Sequence, residues 1–283
     1  MPTTELNLLS PAKLNLFLHV TGRRPDGYHL LETAFQLLDY GDDMVFRRRD
    51  DGVISLSPAL PGVATEDNLV ARAARALQAE TGCRLGAGIQ LHKRIAMGGG
   101  LGGGSSNAAT TLRALNRLWR LGLNVETLAR IGLALGADVP VFVRAETAYA
   151  TGIGEVLTAL DLPRQTYVVL TPAVAVPTAE IFQHPALTRD HQPCTIRALA
   201  DRGWFERTTN DCEPLVRTLY PAVNTLIERL QNLAPTRMTG TGSSVFALAR
   251  DETHAQQMLD ACVDLAPGFI AHGVPRSALY DCV

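Results

Sequence analysis

Between Met97 and Thr111 the chain reads MGGGLGGGSSNAATT, with six glycines in the seven positions from Gly98 to Gly104. Glycine adds no side chain to a core and loses the most entropy on ordering, so such a run answers to a need of the backbone itself. Ile89, Leu91, Lys93 and Ile95 alternate as a strand leading into the run, and Ser105 or Ser106 is placed to cap a helix leaving it. Strand, glycine loop and helix start make an anion site, because bare N–H groups converge on phosphate and the helix dipole favours negative charge. Several nucleotide loops share that plan. A Walker A loop is excluded, since Ser105 follows Gly104 directly and its lysine is missing. Gly98, Gly100 and Gly103 satisfy G-x-G-x-x-G, but a further helix follows where a dinucleotide fold needs a strand with an acidic residue. A protein-kinase loop matches as a string, yet no HRD or DFG element follows.

The cation missing from the loop has few candidates. Of 26 basic residues only Lys13 and Lys93 are lysine, so these two mark places where a compact ammonium serves better than a planar guanidinium. Lys13 shares one face of a strand with Asn15. There it either guards an edge strand or stabilises charge on a transferring phosphoryl group. Asp138 precedes the apolar run VPVFV, where an unpaired carboxylate is costly. Pairing with Lys13 would offset that cost and supply a base, or an acceptor that orients an attacking hydroxyl; a plain turn aspartate is the alternative. Lys93 either reaches nucleotide phosphate or lines the strand edge. Tyr28 and His29 lie in a turn and Phe182 in the second half; aromatic faces can sandwich a nucleobase while an imidazole reads its edge.

PAKLNLFL, MGGGLGGGSSNAAT, LGADVPVFV and TGTGSSVF, in this order over residues 11–247, resemble the GHMP small-molecule kinases. The resemblance implies an α+β fold of two domains, an N-terminal ATP-binding unit over 1–155 and a C-terminal unit over 156–283, with both substrates in the cleft between them. It implies ATP along Met97, Gly98, Gly99, Gly100, Leu101, Gly102, Gly103, Gly104, Ser105 and Ser106, with Asn68 flanking adenine, Lys93 nearby, and Mg2+ offsetting the phosphate charge. Lys13 and Asp138 become the catalytic pair, while Gly240 and Gly242, otherwise a hairpin, close over the reaction centre. GYH after the first segment, with TNDCE, narrows the resemblance to members whose acceptor is a cytidine diphosphate derivative. Asn15 would then contact its sugar-alcohol part, and Tyr28, His29 and Phe182 its base. One departure is visible: Ala96 stands where the family usually has proline, a change expected to loosen the loop entrance without removing a ligand group.

The elements that must position these residues follow from periodicity. Leu14, Leu16, Leu18 and Val20 alternate with Lys13, Asn15, Phe17 and His19 as a strand; Leu37 to Arg49 and Gly52 to Leu56 are further strands. Asp67 is expected to cap a helix through Leu77, and Ala108, Leu112, Leu115 and Trp119 give the next helix its inner face. Asn124 caps a helix through Leu135, and DVPVFVR resumes a strand. Beyond a join near residues 152–165 come a strand over Thr166 to Pro172 and helices over Thr195 to Asp201, Pro214 to Leu219 and Ala222 to Leu233. A strand–turn–strand at RMTGTGSSVFALAR and a helix over Thr253 to Leu265 complete the second half.

Bulk properties agree with a globular enzyme. Hydrophobic residues make up 46% and charged residues 19%, and the net charge of −2 gives no field for nucleic acid or anionic membrane. Five scattered cysteines without a CxxC pair read as reduced thiols, and MPTTELNLLSPAK has no signal-peptide pattern, so a cytoplasmic monomer or weak homodimer is expected. His19, His92, His184, His191, His254 and His272 have no metal-ligand spacing and read as structural or exposed. No metal ligand can be assigned.

Overall fold

A computed structural model describes residues 4–60, 62–194 and 203–282 of the chain. The helix expected over Thr195 to Asp201 lies outside them. Two long antiparallel strands dominate the first half: β1 (Glu5–Arg23) and β2 (His29–Arg49). The remaining elements of that half are β3 (Ile54–Ser57), α1 (Leu69–Thr81), β4 (Gly86–His92), α2 (Gly103–Trp119), α3 (Val125–Leu133), α4 (Val139–Arg144), β5 (Ala148–Thr151) and β6 (Val156–Ala159). The chain continues through β7 (Thr166–Leu170), α5 (Thr178–Gln183), α6 (Trp204–Arg207), α7 (Glu213–Leu219), α8 (Pro221–Gln231), β8 (Thr236–Met238), β9 (Val245–Ala249), α9 (Glu252–Ala261) and β10 (Gly268–Val274).

The strands run β3-β4-β2-β10-β7-β9-β8 in one sheet, with β1 and β5 on β2 and β6 on β5. The last strand carries this continuity, since Gly273 and Val274 of β10 pair with Leu38 and Leu37 of β2. Helices α1 to α4 cover β2 and β4 around a core that includes Phe46, Leu77, Leu91, Leu112 and Phe142. A second core gathers Val168, Ile227, Met238 and Met258 beneath α7, α8 and α9. Between them Leu14, Leu16, Phe17, Leu101, Tyr167 and Phe246 form a third, which contains the middle of β1 and the apolar residue of the glycine loop.

Middle position explains β1. All eight residues from Lys13 to Val20 are buried, so its alternation sorts two covered faces rather than core from solvent. Its ladder to β2 is interrupted between Pro11 and Lys13 and between Asn15 and Leu18. There the freed N–H groups turn elsewhere: Lys13 N donates to Leu101 O at 3.1 Å, Asn15 N to Thr239 Oγ1 at 2.8 Å, and Leu18 N to Thr209 O at 2.9 Å. Buried backbone donors must be paired. The irregular strand is therefore where the glycine loop and the second half are fastened.

Three local expectations are corrected. DVPVFVR is not a strand but helix α4, with Pro140 in its first turn and five buried residues from Val139 to Val143. A continuous apolar run carries no period that separates buried strand from buried helix, and proline's missing N–H would lack a helical partner there anyway. Helix α1 is capped by Asn68, whose side chain accepts from Val70 N, and not by Asp67. Helix α2 starts at Gly103 with Gly102 as its cap, so Ser105 and Ser106 lie inside its first turn.

Candidate active site

A cavity of about 490 Å3 opens between the glycine loop, β1, α1 and the loop after β8. Its wall carries Lys13, Asn15, Asn68, Lys93, Asp138, Phe182 and Gly240, together with the continuous run Met97 to Ser105. Four other expected residues are placed differently. The Ser106 hydroxyl is buried against Ser10 Oγ at 2.8 Å, Tyr28 is 61% exposed, His29 stacks behind Phe182 with ring centroids 5.1 Å apart, and Gly242 packs on Met238.

Lys13 is 3% exposed and meets three acceptors. Its Nζ donates to Asn15 Oδ1 at 2.5 Å and to Gly100 O at 2.9 Å, and lies 3.4 Å from Asp138 Oδ2. Strand β1 presents the lysine, the N-terminal residue before α4 presents the aspartate, and the Gly100 carbonyl ties the lysine to the glycine-loop backbone. Asp138 keeps 34% of its side chain exposed toward the cavity, so it is paired and still reachable. Asn15 is oriented in turn, its Nδ2 donating to Thr33 Oγ1 at 2.9 Å.

Lys93 is held from below. Its Nζ lies 2.5 Å from Asp42 Oδ2 and 3.2 Å from Asn107 Oδ1. Asp42 is fully buried and also accepts from Arg94 N, Ile95 N and Asn107 Nδ2. This carboxylate joins β2, the end of β4 and α2, and so fixes where the glycine loop begins. The sequence places Asp42 only within the strand Leu37 to Arg49, because its partners come from the end of β4 and from α2 and leave no local signal.

The second glycine segment is braced by the TNDCE motif. Asn210 Nδ2 donates to Met238 O and Gly240 O, both at 2.8 Å, and Glu213 accepts from Met238 N. Ser244 N in turn donates to Gly99 O at 3.1 Å. The two glycine loops thus lean on each other above Lys13.

His19, Glu32 and Cys194 place ligand atoms within 4.8 Å of one another. Thr209 N donates to His19 Nε2 at 3.1 Å, so the other nitrogen carries the proton and has no lone pair to offer a cation. Burial, then His191, hold this imidazole down to about 4 from 6.5. The sign follows: the unfolded chain takes up the proton below 6.5, so stability is full above that pH and is lost as pH falls through about 4. Over that span the loss should approach ~3 kcal/mol. Denaturant titrations of the wild type and His19→Phe at pH 7 and 4.5 would measure it; equal pH slopes for the two proteins would refute it.

Two family models match, GHMP kinases N terminal domain over residues 68–146 and GHMP kinases C terminal over 187–266. A 4-diphosphocytidyl-2-C-methyl-D-erythritol kinase of Aromatoleum aromaticum is 53% identical over 93% of this chain and 92% of its own. The chain belongs to the GHMP kinases. Among solved structures, a 4-(cytidine 5'-diphospho)-2C-methyl-D-erythritol kinase is similar to this GHMP kinase with TM-score 0.83 and 32% identity over 95% of this chain and 100% of that one. A homoserine kinase from Cytophaga hutchinsonii shares the fold at TM-score 0.74 and 18% identity, covering 97% and 96% of the two chains. The GHMP kinase is thus a two-domain α+β phosphotransferase, and no helix among its described residues is long and apolar enough to cross a membrane.

Proposed function

We propose that this GHMP kinase transfers the γ-phosphoryl group of ATP to the 2-hydroxyl of 4-diphosphocytidyl-2-C-methyl-D-erythritol, giving ADP and the 2-phosphate in the non-mevalonate isoprenoid pathway. One observation carries the chemistry: Lys13 bridges Asp138 and the carbonyl of Gly100 within a single cavity wall. Asp138 orients the hydroxyl and takes its proton as oxygen attacks phosphorus, while the bridging oxygen leaves with ADP. The Lys13 ammonium stabilises charge on the equatorial oxygens.

The backbone from Met97 to Ser105, with the first turn of α2, supports the triphosphate; Asn68 flanks the adenine and Lys93 lies nearby. Mg2+ would accompany ATP, and its preference for hard oxygen donors would be served in this wall by the Ser105 hydroxyl beside the phosphate oxygens. Asn15 and Gly240 meet the erythritol, Phe182 and the His29 ring stacked beside it meet the base, and the exposed Tyr28 stands at its outer side. We assign nucleotide binding chiefly to the unit over residues 1–155, with the acceptor held in the cleft by residues of both that unit and the C-terminal unit over 156–283. We take the enzyme to act as a monomer or weak homodimer. The five cysteines are free thiols, as a cytoplasmic enzyme keeps them, and the charge balance supports neither nucleic acid nor membrane as a partner.

Labelled ATP tests the assignment directly. Label is expected to reach 4-diphosphocytidyl-2-C-methyl-D-erythritol but neither homoserine nor mevalonate, with cytidine diphosphate competing for the acceptor. Absence of any cytidine effect would reject the substrate, and absence of transfer the reaction.

A further inference from the structure

Arg189 sits in the segment after α5 and uses its guanidinium as a four-way brace. Its Nε donates to His29 Nε2 at 3.0 Å and its Nη1 to Leu187 O at 3.0 Å, while its Nη2 donates to Phe182 O at 2.9 Å and His184 O at 2.7 Å. One side chain therefore joins the backbone that carries Phe182 to the ring of His29, which lies 160 positions away at the start of β2. The two rings stack at 5.1 Å.

A guanidinium does not lose its proton in a protein, so the Arg189 Nε–H can only donate. The facing nitrogen of His29 must then accept, because a proton there would set two N–H groups against each other. Neutral imidazole carries one proton, which is left on Nδ1. Burial, followed by the positive charges of Arg189 and Arg23, also lowers the His29 pKa and disfavours a second proton. Nδ1 has no hydrogen-bond partner among the described residues. His29 thus presents a single donor, suited to a ring acceptor such as N3 or O2 of a cytosine and unsuited to an amino group.

We infer that Arg189 is a positioning residue for acceptor binding, which fixes His29 as an Nδ1–H donor and holds Phe182 beside it. This rests on the cytidine-bearing acceptor proposed above. Arg189 makes its hydrogen bonds to His29, Phe182, His184 and Leu187 and none to the glycine loops or Lys13, so its influence centres on the base end of the cleft.

Long-range proton–nitrogen NMR on the 15N-labelled full chain reads the tautomer without any ligand, His29→Gln identifying the signal. The wild type should show Nδ1–H, and Arg189→Ala should lose that signature. Cytidine diphosphate affinity, measured by calorimetry, should fall about tenfold in Arg189→Ala, with affinity for a non-hydrolysable ATP analogue unchanged. A purely structural brace would not change the tautomer. An Nε2–H ring in the wild type overturns the inference. So does a variant that binds cytidine diphosphate within twofold of a wild type that binds it well. A wild type that ignores cytidine diphosphate instead rejects the acceptor itself, and this role with it. If Arg189→Ala fails to fold, Arg189→Lys, which keeps the charge but cannot span His29 and three carbonyls, takes its place in both measurements.

Discussion

Asp138→Ala should lower single-turnover phosphoryl transfer by about a thousandfold or more, while ATP binds with nearly unchanged affinity. The asymmetry comes from where the carboxylate sits. Asp138 is the N-terminal neighbour of α4 and makes no side-chain capping bond to that helix, so its removal leaves the helix end intact. Lys13 would lose its ion pair but keep Asn15 Oδ1 and Gly100 O as acceptors; the buried ammonium is not stranded, and the fold should survive. What disappears is the group proposed to orient the hydroxyl and receive its proton. Asp138→Asn separates these duties, because the amide can still accept a hydrogen bond yet cannot take up a proton. Rapid-quench assays with labelled ATP and the acceptor, beside equilibrium binding of ATP, make the comparison. A variant within tenfold of the wild type would remove Asp138 from the chemistry.

Gly100→Ala should carry the largest cost at the nucleotide end. Gly100 adopts φ +77°, and a Cβ there would stand 2.4 Å from Thr239 O and 3.1 Å from Gly242 O. Both obstacles are backbone of the second loop, so relief requires the two loops to part. Parting them breaks the Ser244 N bond to Gly99 O and displaces the carbonyl that holds Lys13. We expect ATP affinity to fall by about a hundredfold and stability by about 2–5 kcal/mol, the sum of overpacking and a left-handed non-glycine residue. Gly98→Ala provides the comparison: φ is +70°, but a Cβ there meets nothing within 4 Å. Its penalty should be limited to the backbone conformation, about 1–2 kcal/mol. Equal ATP affinities for the two variants would show that loop contact does not govern the phosphate site.

Much of the site was legible in the chain because its chemistry is local. A strand, six glycines and a helix start lie within about 25 consecutive residues and point to an anion cradle, since convergent N–H groups need only suitable torsions and no distant partner; the run from Met97 to Ser105 lines the cavity. The rarity of lysine singled out Lys13 and Lys93, and the apolar surroundings of Asp138 pointed to a paired carboxylate; the pair is present at 3.4 Å. Helix α3 was readable to its cap, Asn124, which accepts from Thr127 N.

Tertiary structure decided the rest. The run VPVFV became a helix because α2 and α3 surround it, a matter of neighbours that no period within the run records. Asp42 acquired its role from β4 and α2, and Lys93 settled on that carboxylate rather than standing free. Local pattern gave β1 its alternation, but its interruptions depend on partners 88 and 224 positions ahead at Leu101 and Thr239. His29 shows the difference most plainly. Its residue type, in GYH, suggested a reader of a base edge. Which of its nitrogens carries the proton depends on an arginine 160 residues later, because a tautomer is set by the hydrogen bond across from it and that bond exists only once the two halves have met.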